Sequence, residues 1–235
     1  MLTVNAASGF GSGGAGPYAT TPFSSDGDTV LLIQSDTSDG STTFTDASGS
    51  SHTITASGDA QHSTAQGRVP VGSSSIYFDG TGDYLSVPDH ADFDFGTTGD
   101  FTIEYWIKTS NAHNVIGTFN NGIGAQWTDY MTNVVQWYKV DGGVAIVTQS
   151  TTYVEDDKWH HIAHVRSSGT QYLFIDGILE DTDTNTNDYD GDGLAVYIGT
   201  INYLGDPDPR SMTGYMDEIR ISSTGRYTSN FTPNG

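Results

Sequence analysis

Hydrophobic and polar positions alternate along this chain with a period of two wherever a pattern can be read. In residues 101–108, Phe101, Ile103, Tyr105 and Ile107 share one parity while Thr102, Glu104 and Lys108 take the other. That is the mark of a half-buried strand. Shorter apolar runs predict further strands at 30–33, 76–78, 84–87, 134–138, 144–149, 159–166, 172–175, 195–198 and 215–221, with a hairpin over 43–55. Glycine, aspartate and asparagine separate these runs. So many short strands with tight turns between them predict an all-β chain folded as two packed antiparallel sheets. No internal repeat is visible.

Residues 1–27 break the pattern, because the stretch 9–17 is too rich in glycine to order itself by local propensity. This segment is expected to be a flexible arm, either disordered or ordered on a partner surface, in front of one domain over 28–235. A chain of 235 residues is long enough for one large sandwich.

Charge narrows the partners. Eight Lys and Arg stand against 29 Asp and Glu, a formal net charge of -21, which repels phosphate backbones and anionic lipid. Nucleic-acid binding and membrane insertion are therefore not expected, and no apolar run approaches a membrane helix. Only four acids are glutamates, Glu104, Glu155, Glu180 and Glu218; the rest are aspartates, the acid of turns and of oxygen-rich calcium loops, although solubility alone explains most of them. With no cysteine, disulfides and thiolate chemistry are excluded. The first residues lack the basic and apolar regions of a signal peptide, so an extracellular setting would imply another route, such as release within an assembled virus particle.

Ordered motifs then carry a resemblance. Phe78-Asp79-Gly80-Thr81-Gly82-Asp83-Tyr84, the strand at 101–107, Trp159-His160-His161-Ile162, Phe174-Ile175-Asp176-Gly177 and Met216-Asp217-Glu218-Ile219-Arg220-Ile221 together resemble the laminin-G-like, concanavalin A-like jelly rolls. The lead-in Phe44-Thr45-Asp46-Ala47-Ser48-Gly49 with His52 is similar to that of domains carried by tailed bacteriophages, marine ones especially, and bacterial cell-surface proteins share it. The resemblance implies an antiparallel two-sheet jelly-roll sandwich and leaves function to the sites, since this fold hosts lectins, adhesion modules and glycosidases alike.

A retaining glycosidase needs two carboxylates about 5 Å apart. The E-x-D-x-x-E strand of the laminarinase-type relatives is absent, since Glu104 is followed at those spacings by Trp106 and Thr109. The lyase patterns of this sandwich are absent too. His160 and His164 share a strand face and could serve as base or metal ligands, or be ordinary strand histidines. Asp83 and Asp217 share parity with apolar neighbours, so each needs an arginine, backbone amides or a cation as partner. A calcium site from Asp79, Asp83 and Asp217 is one candidate. Asp188, Asp190 and Asp192 form a second, the D-x-D-x-D-G half of a calcium loop, although its twelfth position is Gly199 rather than glutamate. Otherwise this is a solvated acidic loop.

Sugar rings stack on aromatic faces, so a glycan site needs Trp or Tyr at the surface. Trp127, Tyr130, Trp137 and Tyr138 are the candidates, and they could instead fill the core. The long loop 202–210 is of the kind that carries function on such a scaffold. The expectation is a non-enzymatic module: foremost a structural protein on a phage capsid or tail that contacts other virion proteins and is compatible with a homo-oligomer. The alternative is a secreted or cell-surface carbohydrate-binding module for surface glycans, and a glycosidase or lyase is the least favoured.

Overall fold

A computed structural model describes residues 21–68, 73–120, 124–139, 145–184, 186–190, 193–200 and 211–234. Its strands are β1 (Thr29–Ile33), β2 (Thr55–Ser57), β3 (Gln61–Ser63), β4 (Ser75–Asp79), β5 (Tyr84–Val87), β6 (Phe101–Asn111), β7 (His113–Asn120) and β8 (Gly124–Thr132). They continue with β9 (Val134–Lys139), β10 (Ala145–Gln149), β11 (Trp159–Ser167), β12 (Thr170–Ile175), β13 (Ile178–Thr184), β14 (Val196–Ile198) and β15 (Thr213–Ser222). They form two antiparallel sheets of a jelly-roll sandwich. One has 8 strands in the order β13-β12-β11-β6-β15-β4-β3, with β1 against β15; the other has 7 in the order β10-β9-β8-β7-β14-β5-β2. Among the described residues no helix is long and apolar enough to cross a membrane.

The two sheets bury one apolar layer. Phe101, Ile103, Tyr105 and Ile107 of β6 enter it beside Ile162 of β11, Ile219 and Ile221 of β15, and Trp127, Val135 and Trp137 of the second sheet. The opposite side of β6 is buried as well: Thr102, Glu104 and Trp106 are 0 % exposed, where the alternation predicts a solvated face. The reason lies at the two ends of the chain. Tyr227 and Phe231 pack on Ala163, Val165 and Phe174, and the Trp106 indole N–H donates to the Asn234 carbonyl at 2.9 Å, so the C-terminal segment roofs the larger sheet.

From the other end, Phe23 joins that roof. It is 4 % exposed, its N–H donates to Glu218 Oε2 at 2.6 Å, and the Arg220 guanidinium lies 4.1 Å above its ring. Arg226 Nη1 donates to Asp26 Oδ2 at 2.9 Å. Within the segment expected to be an arm, the apolar ring of Phe23 and the carboxylate of Asp26 thus have partners on the sandwich. Residues 1–20 lie outside the described residues.

The Asp176-Gly177 turn joins β12 to β13, both residues having positive φ (53° and 76°), the backbone of a tight two-residue hairpin. The hairpin expected over 43–55 does not form. Asp46 instead gathers its own loop, accepting the Leu32 and Ser48 N–H groups on Oδ1 and the His52 N–H on Oδ2. A carboxylate that offers acceptors to three amides competes with ladder pairing.

Candidate functional site

The 7-stranded sheet carries its polar face outward, and strand alternation decides which aromatics reach it. In β9 the burial runs strictly half-buried, buried, half-buried: Val134, Gln136 and Tyr138 point out while Val135, Trp137 and Lys139 point in. Register places Tyr138 opposite Thr128 of β8 and Ile146 of β10, and Tyr130 opposite Gln136. The Tyr130 and Tyr138 ring centroids are 5.8 Å apart at 83°, the edge-to-face arrangement that aromatic pairs favour. The Tyr138 hydroxyl donates to Gln136 Oε1 at 2.9 Å, and Gln136 Nε2 donates to Gln149 Oε1 at 2.7 Å. Burial, and then the neighbouring Tyr130, push the Tyr138 phenol above its ordinary pKa, so it remains a donor at neutral pH.

A second tyrosine pair stands on the same face. Tyr197 of β14 and Tyr84 of β5 have centroids 5.7 Å apart, and Tyr197 lies in register with Gly117 of β7, itself opposite Thr128. Gly117 keeps the strand between the two pairs bare: a Cβ there would lie 2.7 Å from the Trp127 carbonyl oxygen and 2.8 Å from Thr128 Cβ. The face therefore offers two half-buried tyrosine pairs, side-chain amides and an exposed Ile146 at 49 %. Of the four aromatics read as glycan contacts, Tyr130 and Tyr138 come together here. Sequence reasoning missed Gln136, Gln149, Tyr84 and Tyr197, although Gln136 shares the parity of Tyr138.

Trp127 and Trp137 do not belong to this face. Both are 0 % exposed and stack on each other inside the sandwich with centroids 5.3 Å apart, so neither can meet a sugar from solvent. They wrap a polar lock between the sheets. His164 Nε2 lies 2.8 Å from Asp129 Oδ2, which also accepts the Tyr105 hydroxyl, and Trp137 lies 4.6 Å from the His164 ring. All three members are 0 % exposed. Burial, then the Asp129 charge, push the Tyr105 phenol well above its ordinary range, so it stays protonated and bonded. His160, on the same strand face, points instead to the rim and sits between Asp176 and Asp156 at 2.8 and 3.1 Å. The strand face thus holds both histidines but brings them to different partners.

On the roofed side of the larger sheet, Glu104 is the centre. Arg220 donates to its Oε1 through Nε and Nη2 at 2.9 and 2.7 Å, while the Tyr227 hydroxyl donates to Oε2 at 3.1 Å and His161 Nε2 lies 3.2 Å from it. Burial opposes ionisation here, but the bonds and charges of His161 and Arg220 outweigh it and hold the carboxyl below its ordinary pKa. This is a buried ion pair between the neighbouring strands β6 and β15, and Tyr227 ties it to the roof.

The aspartates read as a calcium site separate. Asp79 and Asp83 do meet, and Asp59 joins them, the three offering oxygens within 4.8 Å of one another. Asp83 is already bonded: its Oδ1 accepts the Asp59 N–H at 2.7 Å and its Oδ2 the Asp79 N–H at 2.8 Å. Asp217 is not there. Glu218 has φ 52° and the register slips between Asp217 and Arg220, a bulge that flips the parity read from the sequence. Asp217 consequently pairs with Trp106 under the roof, where its Oδ1 accepts the Ser35 N–H at 3.3 Å and the Glu218 N–H at 2.9 Å. In the acidic loop, Tyr189 is buried and exchanges backbone bonds with Phe95 and Gly96, while Asp188 Oδ1 accepts the Asp190 N–H at 3.2 Å. Asp192 and the loop 202–210 lie outside the described residues.

Comparison with known proteins agrees with this architecture. Residues 79–227 match a laminin G family model described as the concanavalin A-like lectin/glucanases superfamily. No curated protein matches the chain at a significant level. Among solved structures, the binding domain of Paraclostridial mosquitocidal protein 1 is similar with a TM-score of 0.66 at 15% identity, covering 85% of this chain and 50% of that one. The binding domain of botulinum neurotoxin DC in complex with SialylT gives 0.60 at 14%, covering 85% and 48%. Domain 4 of AbnA, a GH43 extracellular arabinanase from Geobacillus stearothermophilus, in complex with arabinotriose, gives 0.62 at 17%, covering 84% and 93%. The chain spans about half the length of these toxin domains and most of the arabinanase domain.

Proposed function

Because this chain belongs to the concanavalin A-like lectin/glucanases superfamily through its laminin G family, we propose that it is a non-enzymatic carbohydrate-binding module that takes glycan on the outward face of the 7-stranded sheet. The observation that carries the reading is the strip Tyr130, Tyr138, Gln136 and Gln149, which sets aromatic rings beside amides that can bond sugar hydroxyls. The likeness to structures solved with arabinotriose, a neutral sugar, and SialylT, an acidic one, supports carbohydrate as the ligand without deciding its charge. Neutral sugar is the expected class, since anionic glycan would approach a chain of net charge -21 against repulsion.

The test is binding of the full chain to a panel of neutral plant and bacterial polysaccharides, repeated with Tyr138→Ala. Retention of at least one polysaccharide, weakened about tenfold or more by the substitution, supports the reading. No retention, or retention that Tyr138→Ala leaves unchanged, removes it. The setting suggested by the lead-in motif is display on a tailed-phage particle, with other virion proteins as partners. That reading fails if antibody to the chain finds none in purified particles.

A further inference from the structure

The geometry points to a divalent transition-metal site, zinc foremost, formed by His52, His90 and Asp92 at the rim of the sandwich. Their ligand atoms lie within 4.8 Å of one another. His52 Nε2 is 3.0 Å from Asp92 Oδ2, and His90 Nδ1 is 3.3 Å from Asp92 Oδ1. Ligands bound to zinc at about 2.0–2.1 Å in a tetrahedron stand about 3.3–3.4 Å apart, and each imidazole nitrogen lies near that distance from one oxygen of the Asp92 carboxylate, His52 from Oδ2 and His90 from Oδ1. Rotation of His90, whose side chain is 54% exposed, would bring both nitrogens onto one oxygen.

His90 Nδ1 accepts the Asp92 N–H at 3.2 Å, so this nitrogen carries the lone pair that a metal needs. Two imidazole nitrogens and a carboxylate oxygen converge, and imidazole with one carboxylate suits zinc, copper or nickel rather than calcium or magnesium. On binding, His90 Nδ1 would exchange that exposed amide for the metal, and the amide would pass to water.

The supporting shell is rigid. The His52 backbone N–H is held by Asp46 Oδ2 at 2.8 Å, within the loop that Asp46 gathers, and the His52 ring lies 4.9 Å from the ring of Phe93, which is fully buried. Ser50 Oγ donates to Asp92 Oδ2 at 2.7 Å. Such outer contacts fix ligand orientation before the metal arrives. A bound ion would staple the 46–52 loop to the turn Ala91–Phe93 that follows β5, leaving its remaining positions to solvent.

The full chain, stripped of metal with a chelator and desalted, is titrated with cobalt(II) and the visible d–d bands are followed. One equivalent is expected to give bands of a low-coordinate nitrogen and oxygen site, and zinc is expected to bleach them. His90→Ala, a substitution at an exposed side chain, is expected to abolish them, as is His52→Gln, while Asp79→Asn in the separate acidic cluster leaves them intact. Absence of the bands, or bands that survive both histidine substitutions, would overturn the assignment.

Discussion

Replacing Asp217 by asparagine should stabilise the protein above neutral pH and leave it unchanged in acid. Asp217 is 1 % exposed, and its Oδ2 has no hydrogen-bond partner among the described residues. Burial, and after it the charge of Glu218, push its pKa from 3.8 to about 7 against the pull of the Ser35 and Glu218 amides and of Arg68. The folded state therefore holds a proton that the unfolded state has released between those two values. Unfolding free energy must fall as pH rises through that window, and the gap corresponds to about 4 kcal/mol at most. The substituted side-chain amide keeps an oxygen for both backbone N–H groups and has nothing to ionise. Relative to the native chain, the stability of Asp217→Asn should rise from near parity at about pH 4 to a gain between about 1 and 4 kcal/mol at about pH 8, with some of the maximum lost to local relaxation. Urea unfolding followed by tryptophan fluorescence across this range reads the difference directly, and other carboxylates cancel because both chains carry them. A difference that stays constant with pH would refute the reasoning, as would a loss of stability at pH 8.

Glu104→Gln leaves Arg220 buried without its counter-charge and should cost about 3–5 kcal/mol, whereas adding Arg220→Met should recover part of that loss, both read from urea midpoints. Trp137→Ala, in the core, should cost about 3–5 kcal/mol; Tyr138→Ala, on the outward face, should cost under about 1 kcal/mol in the same assay while weakening glycan binding. Asp83→Ala orphans the Asp59 and Asp79 amides and should lower stability by about 2–4 kcal/mol. Because those amides already satisfy Asp83, added calcium should leave the native melting temperature where it is, and a clear rise would show that a cation shares the cluster.

The fold was largely legible because its core strands obey one rule. The runs that became β6, β11, β12 and β15 carry recognisable motifs beside their apolar positions, and Asp176-Gly177 forms the turn between β12 and β13. β7 and β8 escaped because their inward positions include Asp129 and Thr118, polar residues that break the apolar period, and the partners that satisfy Asp129, Tyr105 and His164, are distant in sequence. The position of Asp217 was hidden for a different reason: a bulge set by positive φ at a glutamate leaves no mark in the residue pattern. The burial of Glu104 depended on a roof built from residues 23 and 227–234, a contact between chain ends that periodicity does not encode. The aromatic site is an intermediate case. Alternation within β9 separates Trp137 from Tyr138, but only the depth of the sandwich tells which of the two faces is outside.

Glycan placement is the claim on which this functional reading depends, and amide chemical-shift mapping of the isotopically labelled full chain with a retained oligosaccharide examines it most directly. The shifts should gather on Tyr130, Gln136, Tyr138 and Gln149 and spread toward Gly117 and Tyr197. Shifts confined to the rim loops, with β8 and β9 silent, would contradict it.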